Sequence, residues 1–569
     1  MTLPALLIQQ LRQNSYQNWL RVPVCTSEGL SWTSTSRAEV ERQISGMVVR
    51  LYALGVGEGV KVAICADTCA EWLLLDLAVL SLRGIVVGIY PTLPAEDIIH
   101  QLNDSESELL FVQDDSMAEK LKPYLDELET VCHVFALCES QTFPQIMPAE
   151  PDLELFERLA AQVQPTDVAT LIYTSGTTGN SKGVVLKHAH LVSALRSSAE
   201  LFPLRKGDRS IIYLPMAHIL QRFVVYRALI DDVEGAVSPS LEYLPEVIQS
   251  IRPHLLVVVP RVLEKILNRA EQAAIERGDF AHLIFRWAMK VAYKVGNSDL
   301  PKSQRLMLQA QVAERLVFSK IRDGLGGQLR CILSGAAPLS PKISAIFWGM
   351  GLQVVEGWGL SESCGPATLI NPEQYQLGSV GRILDSLSIR RSIEGELQLK
   401  GESLFEGYWK QAAATEAAFT EDGWFKTGDI GHIDEDGYVW ITGRIKDLIV
   451  TAGGKNIAPQ PIELLLNQIG DVHTVVLGDN RPYLIALFAP ENTLSDGPSE
   501  SKIKSHVHKI NLTLPRYAQI KRWAILSEAF HPENGLLTPT LKPKRNAIQK
   551  THSRLIESLY SESRTIISP

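Results

Sequence analysis

The 569-residue sequence has no excess of positive charge: 55 Lys and Arg stand against 64 Asp and Glu, a formal charge of −9. It lacks the basic footprint of a nucleic-acid partner and has little general attraction to anionic lipid, local basic patches aside. Its seven cysteines (Cys25, Cys65, Cys69, Cys132, Cys138, Cys331, Cys364) are odd in number and scattered, with no Cys-x-x-Cys pair. That excludes zinc-finger spacing, argues against a disulfide framework, and predicts a reduced, cytoplasmic protein. The most apolar long stretch, 62–90, is broken by Asp67, Glu71, Asp76 and Arg83, too many charges for a membrane span of ~20 residues. The opening MTLPALLIQQLRQNS has neither a basic n-region with a sustained apolar run nor a small-residue cleavage site, so export is not expected. Repeats and low-complexity segments are also missing.

What remains is ordinary globular composition, 45% hydrophobic and 21% charged, in a chain too long for one core, so two or more domains are expected. Up to about residue 167 short apolar runs alternate with helical patterns: 62–65 and 85–90 as strands, 70–82 as a helix. This predicts βαβ units around a parallel sheet. A second set follows, with strands at 169–173, 211–214 and 255–259 and helices at 190–201 and 245–251. Residues 261–325 read as mostly helical, with Leu306, Ala310, Ala313, Leu316, Val317 and Ile321 near helical spacing. Arg305, Arg315, Lys320 and Arg322 make the other side either a membrane-surface face or, the favoured reading, a solvated basic side of a packed helix. After Gly378, short strands and the pairs Asp422-Gly423 and Asp436-Gly437 predict hairpins and a small β subdomain. Past Arg444 a fresh α+β pattern starts, with strands at 473–477 and 483–489. The domain boundary is placed between Gly443 and Leu448.

The densest chemistry lies at 174–183, Thr174-Ser175-Gly176-Thr177-Thr178-Gly179-Asn180-Ser181-Lys182-Gly183. Three glycines free backbone amides to turn toward an anion, Ser175, Thr177 and Thr178 add hydroxyls, and Lys182 adds a cation, all suited to polyphosphate. No Gly-Lys-Ser/Thr closes the run and no helix obviously follows it, so it is not a Walker A loop. A plain surface turn requires neither the lysine nor this density of donors.

This loop resembles the phosphate-binding signature of the adenylate-forming superfamily of acyl-CoA synthetases, adenylation domains and luciferases, and the resemblance continues over nearly the whole chain. Further matches follow in order: Leu214-Pro215-Met216-Ala217-His218, Ser334-Gly335-Ala336-Ala337-Pro338-Leu339, Glu356-Gly357-Trp358-Gly359-Leu360-Ser361-Glu362, Thr427-Gly428-Asp429, Gly443-Arg444-Ile445-Lys446-Asp447 and a late Lys542. The fold implied is α/β: a large N-terminal AMP-binding domain (1–443) of two stacked α/β subdomains plus a small β subdomain, a hinge (444–447), and a mobile α+β C-terminal domain (448–569).

The resemblance implies that Glu362 meets Mg2+ on the ATP phosphates and that Ser361 offers its hydroxyl to the α-phosphate. Thr174 to Gly179 and Lys182 hold the polyphosphate, with Gly335, Ala336 and Gly359 also at the nucleotide. Trp358 stacks on adenine or is a core tryptophan. Asp429 accepts both ribose hydroxyls, and Arg444 reaches the ribose or phosphates. His218 gates the acyl pocket or is a satisfied structural histidine. Lys542 bridges carboxylate and α-phosphate, with Lys544 a competitor; here Leu541 stands where the family commonly has glycine. Asp447 is the hinge about which Gly453, Gly454 and Lys455 swing toward a pantetheine channel.

Tyr90-Pro91-Thr92, Val259 to Ile266 and Thr451 to Asn456 look most like long-chain fatty acyl-CoA synthetases. That implies ATP, Mg2+ and coenzyme A, a fatty acid activated through acyl-AMP, and no nucleic-acid partner. Transfer to an acyl carrier protein and a decayed nucleotide-binding regulator are the rival readings. The presence together of Lys182, Glu362, Asp429, Arg444 and Lys542 argues against decay.

Overall fold

The stretch 62–90, too charged to span a membrane, folds as strand Lys61–Cys65, helix Ala70–Ser81 and strand Ile85–Ile89, with both strands buried along most of their length. The computed structural model describes residues 1–13, 15–26, 29–174, 181–201, 204–470, 472–491, 498–538 and 540–561. The two strands pair in parallel at the centre of a six-stranded sheet ordered His133–Ala136, Leu109–Val112, Lys61–Cys65, Ile85–Ile89, Val168–Thr174, Lys182–Lys187. Only the last pairing is antiparallel.

A nine-stranded sheet forms the second α/β layer, and its middle runs parallel through Gln353–Leu360, Cys331–Ser334, Leu255–Val258, Arg209–Ile212 and Glu234–Val237. One edge is closed by the chain's own start: Asn18–Thr26 adds in parallel beside Glu234–Val237, and Gly29–Ser36 pairs outside it. The expected helix at 190–201 is observed as His188–Ser197. Its end comes early because Ser197 and Ser198 turn their hydroxyls onto Ala194 O and Leu195 O, competing with the helical ladder.

Helices Ala70–Ser81 and Ile219–Ile230 meet between the sheets through buried polar groups. Arg222 pairs with Asp76, both at most 1% exposed, and also donates to Thr170 Oγ1 on strand Val168–Thr174 (2.7 Å). Tyr226 donates its hydroxyl to Asp76 Oδ2 (2.5 Å).

Region 261–325 is helical as expected: Pro260–Glu276, Asp279–Gly296, Gln304–Ala313 and Ser319–Gly324. A π turn at Glu314–Phe318 shifts the buried face, so Val317 and Phe318 are buried whereas Leu316, grouped with the apolar face from spacing, is 43% exposed. Arg305, Arg315 and Lys320 are exposed, while Arg322 pairs with Glu314.

Strands Leu387–Arg391, Glu396–Gly401, Phe425–Ile433 and Val439–Arg444 form an antiparallel sheet. The Asp-Gly pairs make the expected turns, with Gly423 and Gly437 both at positive φ. Beyond a 3-10 turn at Ile445–Asp447, strands Val472–Leu477, Leu484–Pro490 and Ile520–Ile525 form a separate sheet. Helices Pro459–Leu466 and Glu500–Asn511 supply its buried apolar partners.

Candidate active site

The two strands that flank the 174–183 segment pair with each other. Strands Val168–Thr174 and Lys182–Lys187 run antiparallel with Thr174 opposite Lys182, which explains why no helix follows the loop and separates it from a strand-to-helix P-loop. Ser175, Gly176, Thr177, Thr178 and Gly179 lie outside the described residues. The Lys182 ammonium stands 5.0 Å from the centre of the Tyr408 ring. Tyr408 in turn donates its hydroxyl to Glu362 Oε1 (2.9 Å). It is a site residue that sequence reading missed, although the aromatic pair Tyr408-Trp409 in a Gly-flanked segment was a signal.

Glu362 sits in a 3-10 turn, Ser361–Ser363, pinned by Ser363, whose hydroxyl accepts from Leu360 N (2.9 Å) and donates to Gly365 O (2.7 Å). The small residues before it are required: a Cβ on Gly359 would lie 1.9 Å from Gly365 O, so only glycine lets the two strands approach. Burial raises the Glu362 carboxyl above its ordinary value, opposed by the Tyr408 hydroxyl and by Arg444. Trp358 is buried, and its indole N–H donates to Asp429 Oδ2 (2.8 Å). The other oxygen of Asp429 pairs with Arg444 Nε (2.6 Å), from the opposing position of the neighbouring strand. A carboxylate offers about four lone-pair sites, so both oxygens keep capacity for further donors.

Lys542 comes from the chain beyond the 3-10 turn Ile445–Asp447. Its loop is a tight hairpin in which Thr538 N donates to Lys542 O (2.8 Å) and Lys542 N to Thr538 Oγ1 (3.0 Å). Although solvent reaches the ammonium, the cleft walls enclose it, and that desolvation lowers its pKa. Arg444 lowers it further, while Asp429 and Asp447 oppose the shift. Burial also takes His218 down to about 4, with Lys542 adding to the shift. His218 accepts from Leu220 N at Nδ1 (3.1 Å), capping helix Ile219–Ile230. Neutral at ordinary pH, it is a poor proton carrier.

Leu541 adopts φ +60, the left-handed region that favours glycine. Leucine pays about 1–2 kcal/mol there, and glycine gives back part of that in chain entropy. Leu541→Gly is expected to raise the stability of the C-terminal domain by about 1 kcal/mol; an unchanged or lower melting temperature would show the turn to be unstrained.

One cleft of about 3320 Å³ brings together Thr174, Lys182, His218, Gly335, Ala336, Trp358, Gly359, Ser361, Glu362, Asp429, Arg444, Asp447 and Lys542. Ala336 is held at φ +66, a strained turn directly after strand Cys331–Ser334. Asp447 accepts from Gln460 Nε2 (2.5 Å). Gly453, Gly454 and Lys455 are not part of this wall. They occupy an exposed turn of the C-terminal domain, where Gly454 N donates to Thr451 O (2.8 Å). No group of three or more His, Cys, Asp or Glu among the described residues is arranged to hold a metal.

The cleft also contains a carboxyl that sequence reading passed over. Glu356 is buried, accepts from Ser344 Oγ (2.7 Å) and is raised by desolvation to about 8 from 4.5. The folded state therefore keeps a proton that the unfolded state releases from pH 4.5 upward. Stability falls by about 1.4 kcal/mol per pH unit between these values and levels off above the folded pKa. Glu356→Gln is expected to raise the melting temperature at pH 8 and to do little at pH 4.5; an equal effect at both would contradict the shift.

A lysine that reaches the cleft only from a separate small domain marks a class, the two-domain adenylate-forming enzymes. The chain belongs to the AMP-binding enzyme family: residues 16–409 match that family and residues 446–564 match the AMP-binding enzyme C-terminal domain. Long-chain-fatty-acid–CoA ligase FadD15 of Mycobacterium bovis is 36% identical over 561 residues, 93% of this chain and 93% of that one. Long-chain-fatty-acid–CoA ligase ACSBG2 of Xenopus laevis is 27% identical, over 99% of this chain and 85% of that one. Among solved structures, the adenylation domain of a carboxylate reductase from Mycobacterium chelonae has a TM-score of 0.78 at 20% identity, covering 99% of this chain and 91% of that one. That likeness shows the fold.

Proposed function

We propose that this protein is a long-chain fatty acid:CoA ligase that forms an acyl-adenylate from acid and ATP, releases pyrophosphate, then transfers the acyl group to the CoA thiol and releases AMP. The observation that carries this reading is the single cleft. The wall that holds Lys542, Glu362 and Asp429 continues into an apolar wall of Val262, Ile266, Ala270, Ile284, Phe285 and Val317. An alkyl chain fits such a wall without a buried charge partner.

In the first half-reaction Lys542 meets the acid carboxylate and the α-phosphate as negative charge builds during attack. Asp429 accepts from the ribose hydroxyls, oriented by Trp358 and Arg444, and the Lys182 hairpin holds the leaving pyrophosphate. Ser361 offers its hydroxyl to the α-phosphate, and Glu362 fits Mg2+ chemistry, because that ion takes one or two protein carboxylates and draws its other ligands from substrate phosphates and water. Bound there, Mg2+ would neutralise phosphate charge. Rotation of residues 448–569 about the hinge 444–447 against residues 1–443 then withdraws Lys542 and brings Gly453, Gly454 and Lys455 to the thiol. His218 serves as the acyl gate.

Peripheral contact with lipid belongs to the same reading. No described helix is long and apolar enough to cross a membrane. The outer helices do expose Phe280 at 76% and also Leu283 and Leu308, on a segment carrying Arg277, Arg305, Arg315 and Lys320.

The test is AMP release across short, medium, long and aryl acids, with CoA or an acyl carrier protein as acceptor. Release is expected to peak with long alkyl acids and CoA. A maximum with aryl or amino acids would overturn the substrate, and activity with carrier protein alone would overturn the acceptor.

A further inference from the structure

Helix Pro260–Glu276 brings two adjacent stripes to the cleft, one apolar and one charged. Val262, Ile266, Ala270, Ala273 and Ala274, near helical spacing, line the cleft's apolar wall. Arg261 and Lys265, one turn apart, reach across to the C-terminal domain. Arg261 donates from Nε to Glu491 Oε1 (3.2 Å) and from Nη2 to Val472 O (3.0 Å), and Lys265 Nζ pairs with Glu491 Oε1 (2.5 Å). Glu491 is 14% exposed. Burial alone would raise its carboxyl, but the two cations hold it at about 2, so it stays ionised throughout the working pH range.

The contact has direction. Glu491 ends strand Leu484–Pro490 and Val472 starts its neighbour Val472–Leu477, so the grip falls on the central sheet of the small domain. The lysine loop is tied to that same sheet: Arg545 makes two bonds of 2.6 Å to Glu463 and donates to Val476 O (3.0 Å). Glu463 in turn accepts from Val476 N (2.7 Å). The contacts from Glu491 through the sheet to the lysine loop are therefore continuous.

We infer that Glu491, gripped by Arg261 and Lys265, is a positioning residue for adenylation: it latches the small domain onto the substrate-lined helix so that Lys542 stands in the cleft. Because the latch residues Arg261 and Lys265 are the sequence neighbours of Val262 and Ile266 on one helix, an acyl chain against the apolar wall lies beside the latch. Releasing the latch is then the step that frees Lys542 to leave. The inference rests on the two-step reading above.

Glu491→Gln keeps the shape and removes the charge. Acid-dependent ATP–pyrophosphate exchange is expected to fall about 5- to 100-fold, with thioester formation from supplied acyl-adenylate unchanged or faster. Glu491→Asp should recover much of the exchange. Lys265→Gln, on a half-exposed side chain, serves as the second variant and should show the same split in smaller degree. Independently of activity, trypsin should cut Glu491→Gln faster at Arg444 and Lys446. Equal loss of both half-reactions, no loss in either, or unchanged hinge cleavage would overturn the latch. No exchange by the wild type with any acid would instead overturn the functional reading, with hinge cleavage still deciding the latch.

Discussion

Lys542→Ala is expected to lower acyl-adenylate formation by about 10²- to 10³-fold while sparing thioester formation from supplied acyl-adenylate. The ammonium is the cation that the small domain delivers into the cleft, where Asp429 and Asp447 favour its charged form and desolvation and Arg444 oppose it. On the proposed reading, negative charge on the attacking carboxylate and the α-phosphate completes its partnership. Alanine removes a charge held in a fixed direction, which mobile solvent does not replace at that position. In the second half-reaction the charge that builds passes to the departing AMP phosphate, and on the proposed reading the lysine has by then swung out of the cleft. The measurement is ATP–pyrophosphate exchange beside single-turnover thioester formation, with Lys544→Ala as the control that should change little. Equal damage to both half-reactions would mean that Lys542 supports the fold and not the first step. The lowered pKa adds a sign: exchange should decline as pH rises through it, and Lys542→Arg should move that alkaline limb upward.

Asp76→Ala should be the most costly change to stability, about 3–5 kcal/mol. Arg222, 1% exposed, would remain charged with no carboxylate, and the Tyr226 hydroxyl would lose its acceptor. Burial raises the Asp76 carboxyl, and Arg222 and Tyr226 pull it back toward ionisation. The loss comes from stranding a charge, so removing both partners should cost far less than removing one: Asp76→Leu with Arg222→Met should recover most of the stability. The readout is the denaturant midpoint of the large domain, followed separately from the small one because a two-domain chain need not unfold in one step. Because His218 caps the helix that carries Arg222, pyrophosphate exchange should fall with the single variant. A loss under about 1 kcal/mol, typical of exposed pairs, would show the network to be solvated.

Much of the architecture was legible in local pattern. Runs such as Lys61–Cys65 and Leu255–Val258 are short, β-branched and apolar because both sheet faces are covered, and the Asp-Gly turns name their own geometry. The order of motifs around Glu362, Asp429 and Lys542 placed the cleft before any coordinates. Tyr408 and Glu356 escaped notice because each carries meaning only through a neighbour far along the chain, Glu362 and Ser344 respectively. Leu316 was misplaced because a π turn breaks the period on which the expectation stood. The departure at Leu541 was visible as a missing glycine, but that leucine accepts the left-handed turn could be known only from its φ.

Sequence alone was enough for the class of fold and for the difference between the 174–183 segment and a Walker A loop, because these rest on residue type and short spacing, which local sterics and hydrogen bonding translate directly; the family came from the resemblance of its ordered motifs. Tertiary structure decided what stands against what: the first strand beside Glu234–Val237, Trp358 on Asp429, Asp76 on Arg222, Glu491 on helix Pro260–Glu276. Those pairings join positions tens to hundreds of residues apart, and only the burial and charge matching of the folded chain selects them among the many partners composition allows.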